Sequence, residues 1–262
     1  MATVRYGARE QQRSREVEAT SSEIWSEAIT ATYETDPEVI AAVLPPPLEP
    51  PAEPRVRATI TRVEMPGGYV FGAGYFAVRA RHEGTDGEYP LLMPMTTEQA
   101  TVGGRETFGE PKKIGQVTVT RDGDQVQGVI ARMGFTLITV TGRVTETLPP
   151  PPEFTKTDFY FKFLPSPDGK GFDDDPSLVY CSKREKNRLL ERVEGEIVLG
   201  ESPLDPVIDI PVRKLIDITW SERATIQTAE VHSKVPSDWI LPYVHQRYDD
   251  LSVLGNPDRD AD

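Results

Sequence analysis

The sequence predicts a mainly β protein organised as one domain, with strands carrying the architecture and a few short helices decorating it. Three features predict this. Residues 68 to 78, GYVFGAGYFAV, are apolar on both faces and rich in glycine, as a bent barrel wall requires. Asp122-Gly123 separates QVTVT from QVQGVIARM, which is a strong hairpin signal. Helical turns are plausible only near residues 36 to 44, 97 to 108 and 237 to 250.

Taken in order, residues 1–20 are polar with little to bury and are expected to fray, as is the 253–262 tail, leaving 21–252 as the domain. ITATYETDPEVIAAVLPPPLEPPAEP reads as a strand with Ile29, Ala31 and Tyr33 on one face, then a short helix with Asp36 as N-cap and Pro37 at its first position. The prolines from Pro45 onward stop that helix and favour a stiff surface crossing. After the glycine-rich strand and the Asp122-Gly123 hairpin, FTLITVTGRVTETL continues an antiparallel meander. TDFYFKFL, SLVYCS, LERVEGEIVLG and ATIQTAEVHSK are further strands. The proline clusters at Leu148 and Leu164 do not divide the chain, because neither side holds enough helix to complete its own layers.

Charge and composition exclude several function classes. The 29 basic and 42 acidic residues give a formal charge of -13, which repels nucleic acid and anionic membranes. No apolar run approaches the ~18 residues that span a bilayer, and the start of the chain has no apolar leader core, so a soluble cytoplasmic protein is expected. Cys181 is alone and reads as a buried structural thiol. His82, His232 and His245 lack metal-ligand spacing, and Asp173 to Asp175 lack the pattern of a calcium loop, so neither metal nor cofactor is expected. Nucleotide-binding glycine motifs and a serine-hydrolase elbow are absent from the sequence.

The segment with chemistry to offer is GRETFGEPKKIG, residues 104 to 115. A lysine pair is ordinarily solvated surface. Here Pro111 fixes the backbone before Lys112 and Lys113, between a glycine-rich helix and a strand meander. Neighbours on a strand point to opposite faces, so at most one amine enters a cavity while the other holds charge nearby. Burial and a nearby cation both disfavour protonation, and a neutral amine attacks ketones to form an electron-accepting imine.

This segment resembles the active-site stretch of the acetoacetate decarboxylase family, in which a Gly-Arg-Glu run leads to a proline and two lysines. YETDPEVIAAVLPPPLEP, FYFKFLPSPDGKG, DPVIDIPV and DWILPYVHQRYDDL resemble other family segments in the same order. The resemblance implies an antiparallel, cone-shaped β-barrel wrapped by additional strands, a homo-oligomer, Lys112 as the imine-forming lysine and Lys113 as the neighbour that keeps it neutral. It also implies that Met93 and Met95 line or border the pocket, with core filling as the alternative.

The sequence departs from the family where an arginine and two glutamates are expected. Those positions fall near Ser26, Thr59 and Phe76, with Glu23, Glu27 and Glu64 within reach of a small shift in register. Glu110 is then the candidate for acid–base work, and Tyr243 and Tyr248 could donate a phenolic proton or simply pack. Arg105 and Glu106 brace the lysine loop or, alternatively, contact substrate. Phe76 and Tyr243 join the expected substrate-binding residues. The reading that follows is a lyase making an imine with a small oxo acid and doing aldol and dehydration chemistry with a 2-oxo acid such as pyruvate. The alternatives are a true β-keto acid decarboxylase and a barrel that binds a small molecule without turning it over.

Overall fold

The computed structural model describes residues 6–7, 24–65 and 67–255. The expected fraying of residues 1–20 and much of the 253–262 tail lies outside these. Among the described residues, eleven strands join in a single sheet whose hydrogen-bonded order is β11-β1-β2-β3-β4-β9-β10-β8-β7-β6, with β5 on β4. They are β1 Trp25–Glu34, β2 Arg55–Glu64, β3 Val70–His82, β4 Thr85–Met95, β5 Lys112–Ile114, β6 Gln116–Asp122, β7 Gln125–Arg132, β8 Phe135–Leu148, β9 Phe154–Lys162, β10 Ser177–Leu199 and β11 Lys214–Lys234. Pairing of β10 with β11 closes seven of them, β1 to β4 and β9 to β11, into a barrel, mixed because β4 and β9 run parallel. The remaining strands lie outside it, so the mainly β barrel expected from the sequence is what the chain forms.

Strand alternation explains which faces are buried. Ile29, Ala31 and Tyr33 of β1, with Val56, Ala58 and Ile60 of β2 and Phe76 and Val78 of β3, join Val117, Val126, Ile130 and Leu137 of the outer strands in the main core. Tyr33 is fully buried there and donates its hydroxyl hydrogen to the Ile210 carbonyl at 2.9 Å. The alternate residues, Ser26, Thr59, Thr61 and Tyr75, face the barrel interior.

Two strands are longer than the sequence suggests. SLVYCS and LERVEGEIVLG read as separate strands, yet β10 is one strand of 23 residues. Its first half pairs with β9 and β11 inside the barrel, and its second half leaves to pair with β8, with register shifts at Asn187/Leu189 and Arg192/Val193 where it bends. Likewise β11 begins at Lys214, well before ATIQTAEVHSK.

Three α-helices occur among the described residues: α1 Pro37–Val43, α2 Glu98–Phe108 and α3 Ser237–Ile240. Asp36 and Pro37 start α1 where expected. Gly109 ends α2 in the left-handed conformation (φ 82°), its N–H donating to the Arg105 carbonyl while the Glu110 N–H donates to that of Gly104. That cap turns the chain back so that β5 lies alongside β4. Among the described residues, no helix is long and apolar enough to cross a membrane.

Candidate active site

The barrel interior holds a cavity of about 660 Å³ to which all seven barrel strands contribute side chains. One wall is apolar, with Met93 and Met95 of β4 backed by Tyr160, Val179 and Cys181. Thr107 and Phe108 of α2 also line it. Farther along β9 and β10 and onto β11 the lining becomes cationic: Lys156 and Lys162 of β9, Lys183 of β10 and Arg223 of β11 line the cavity there, with the acids Glu185 and Glu230. Four cations against two acids on the lining attract a small anion, although Lys183 is also paired with Asp158, and Lys156 and Arg223 with Glu185.

The lysine pair divides as strand geometry requires. Lys112 is the register partner of Met93 in the parallel β4–β5 pairing, so both side chains lie on one face. Its Nζ is 2.8 Å from Oε2 of Glu110, and Oε1 of Glu110 accepts from Nε2 of the cavity residue Gln227 at 3.0 Å. The amine is therefore folded onto Glu110; neither residue lines the cavity, and Gln227, which does, links the pair to it through its hydrogen bond to Glu110. Glu110 is 1 % exposed, and burial pushes its carboxyl up. The Lys112 and Lys183 charges and the hydrogen bonds outweigh burial and hold it below the usual range.

Lys113 faces away from the cavity. Its Nζ lies 2.9 Å from Asp205 and 3.0 Å from Asp249, and Arg132 pairs with the same two carboxylates. Two cations meet two anions there, so the Lys113 charge is compensated locally instead of being directed at Lys112. The role expected for it, keeping its neighbour neutral, has no geometric support.

Gly104 sets the room available to Lys112. A Cβ at this position of α2 would lie 2.0 Å from Oε2 of Glu110 and 2.6 Å from both Cδ and Nζ of Lys112. Those atoms are ends of flexible side chains, so Gly104→Ala is expected to leave the fold intact while driving the amine off Glu110. Acylation of lysines followed by peptide mapping should show Lys112 labelling faster by about tenfold, the ~1.5 kcal/mol of one charged hydrogen bond, with Lys113 unchanged.

The cationic wall is itself a network. Lys183 pairs with the fully buried Asp158, which also accepts from the Tyr160 hydroxyl at 2.9 Å. Burial works against the Lys183 charge, yet Asp158 and its neighbours hold its pKa well above the lysine norm. Lys156 is 2.6 Å from Glu185, and Arg223 approaches the same carboxylate at 3.8 Å. Burial pushes Glu185 up, but Arg223 and Lys156 prevail and bring it down to about 2. For Lys156, burial and the nearby Arg57 charge win and lower its pKa. Tyr75 spans the two lysines, its ring centroid 4.9 Å from Lys183 Nζ and 5.8 Å from Lys156 Nζ, and its hydroxyl donates to Glu88 at 2.8 Å.

Other expected site residues are placed elsewhere. Phe76 is 1 % exposed in the main core, and its neighbour Tyr75 lines the cavity: the expected position is one residue off, and one residue on a strand reverses the face. Arg105 donates to the carbonyls of Lys112 (2.9 Å) and Arg247 (3.0 Å) and lies over the Tyr248 ring, so it braces the lysine loop. Glu106 is exposed on α2. Tyr243 borders a separate void of about 20 Å³, and Tyr248 packs against Phe163. Glu27 and Glu64 pair with Arg62 at the surface, and Glu23 lies outside the described residues. Cys181 is fully buried, its thiol pushed up to about 12 chiefly by burial.

The sequence reading missed Lys156, Lys183, Glu185, Arg223 and Gln227. Arg223 is the register partner of Ser26 across β1 and β11. It therefore stands one strand away from the place where the family resemblance expects an arginine.

Comparison with known proteins agrees with this architecture. The family described as "Acetoacetate decarboxylase (ADC)" matches residues 6–235. An "Acetoacetate decarboxylase" of Streptomyces nogalater is 34% identical over 154 residues, 55% of this chain and 60% of that protein, so the match spans less than two thirds of that relative. Among solved structures, an acetoacetate decarboxylase from Legionella pneumophila superposes with a TM-score of 0.71 at 19% identity, covering 87% of this chain and 98% of that one. The enduracididine biosynthesis enzyme MppR complexed with pyruvate superposes at 0.69 and 16% identity, covering 81% and 90%.

Proposed function

Because the chain belongs to the acetoacetate decarboxylase family, we propose that it is a lyase that captures a small oxo acid as an imine on Lys112, without a cofactor. The observation that carries this reading is the buried Lys112–Glu110 pair, linked through Gln227 to a cavity with a cationic wall. Once the Lys112 ammonium has lost its proton to solvent, the amine adds to the substrate carbonyl, and the carbinolamine hydroxyl, protonated from solvent, leaves as water to give a protonated imine whose charge the Glu110 carboxylate faces. Gln227 fixes Oε1 and so keeps Oε2 turned toward Lys112. The protonated imine draws electrons from an adjacent bond.

Which bond breaks depends on the carboxylate. Arg223, which stays 3.8 Å from Glu185, offers it a charge-assisted hydrogen bond, and the Lys183 charge adds to the attraction. A carboxylate stabilised in this way loses that stabilisation as carbon dioxide forms, so the cationic wall raises the barrier to decarboxylation. Loss of a proton next to the imine keeps the carboxylate in place. The resulting enamine adds to an aldehyde, and water leaves, which favours aldol and dehydration chemistry on pyruvate or a similar 2-oxo acid. The pyruvate in the MppR complex supports the same substrate class.

Incubation with pyruvate and an aldehyde should yield the unsaturated condensation product, and acetoacetate should release little carbon dioxide. Carbon dioxide release from acetoacetate without condensation would make the chain a decarboxylase. Arg223→Met is expected to raise KM for pyruvate about ten- to hundredfold, the equivalent of ~1.5–3 kcal/mol of charged hydrogen bonding, with a much smaller change in kcat. A second reading puts the imine on Lys156, which lines the cavity and whose ammonium is disfavoured by burial and Arg57.

A further inference from the structure

We propose that His82, Glu83 and His232 form a binding site for a divalent transition metal, with Zn²⁺ as the reference ion. The three are scattered in sequence, but the barrel joins them. His82 ends β3, and Glu83 follows it in the turn to β4, held there in the left-handed conformation (φ 47°). His232 lies near the end of β11, next to the cavity-lining Val231. One candidate donor atom from each residue lies within 4.8 Å of the others.

The surroundings orient these donors. The Tyr180 hydroxyl is 2.6 Å from Nδ1 of His82, which sets the ring as the outer partner of a metal-bound histidine does. Tyr180 also stacks on the His232 ring, with centroids 4.4 Å apart and planes 11° apart. Nε2 of His232 is 3.1 Å from Oε2 of Glu83, and the two imidazoles meet edge to face at 5.3 Å. His82 is buried while Glu83 and His232 are exposed, so solvent can complete the coordination. Two imidazole nitrogens, one carboxylate and a water make a tetrahedral set suited to Zn²⁺, whereas Ca²⁺ and Mg²⁺ prefer oxygen alone. A bound ion would tie the β3–β4 turn to β11 beside the cavity.

Full-length protein without a histidine tag, stripped of metal, should be titrated with Co²⁺ and then Zn²⁺. The proposal expects one Co²⁺ per chain, visible d–d absorption, displacement by Zn²⁺ and a rise in Tm with Zn²⁺. His232→Ala and Glu83→Gln alter exposed groups and should fold, yet weaken binding at least about tenfold and remove the Tm rise. His245→Ala should bind as the parent does. No saturable binding, equal affinity in His232→Ala, or loss of binding in His245→Ala would each overturn the site.

Discussion

Lys112→Ala is expected to abolish imine formation with pyruvate and to lower turnover by at least about a thousandfold, the scale on which covalent catalysis fails when its nucleophile is removed. Lys112→Arg should do the same, because a guanidinium stays charged and cannot attack a carbonyl. Lys112→Ala leaves the buried Glu110 carboxylate with the Gln227 hydrogen bond and the Lys183 charge but without its ion-pair partner, so Tm should fall by several degrees, whereas Lys112→Arg keeps a cation beside it. The measurement is condensation rate below the melting range of each variant alongside a thermal melt, with turnover lost in folded Lys112→Arg showing that chemistry rather than structure was removed. Turnover within tenfold of the parent in Lys112→Ala would place the chemistry on another residue.

The neighbouring lysine should behave in the opposite way. Asp205 accepts from both Lys113 (2.9 Å) and Arg132 (2.6 Å), and it is 5 % exposed. Asp205→Ala leaves two buried cations to share Asp249, a loss of about 3–5 kcal/mol for breaking a buried ion cluster. At ~2–4 °C per kcal/mol for a chain of this size, Tm should fall by about 10 °C. Below the new melting range, imine formation on Lys112 should persist. Lys113→Met should likewise cost stability while sparing the imine. If Lys113→Met instead removed the imine and left Tm alone, the division of roles along β5 would be wrong.

Much of the fold could be read from the sequence because its signals are local. Alternation in β1, the Asp122-Gly123 turn and the start of α1 at Asp36 and Pro37 each rest on a few adjacent residues. The lysine pair also divides across two faces as strand alternation demands. The rest depends on partners distant in the chain. KREKNR lies between the two stretches that read as strands, and its Lys183 and Glu185 are buried because Asp158 and Lys156 of β9 meet them. Asp205 lies 92 residues from the lysine it neutralises. Arg223 acquires its place only when β11 pairs with β1, and His82 meets His232 only when the barrel closes. Phe76 and Tyr75 show the sharpest limit, since an error of one residue exchanges core for cavity.

The most direct test of the central claim is to incubate the protein with pyruvate, reduce with borohydride and map the modified peptide by mass. The account predicts a single pyruvate-derived adduct on Lys112, dependent on pyruvate and lost in Lys112→Ala. An adduct on Lys156 or Lys183, or none with any small oxo acid, would contradict it.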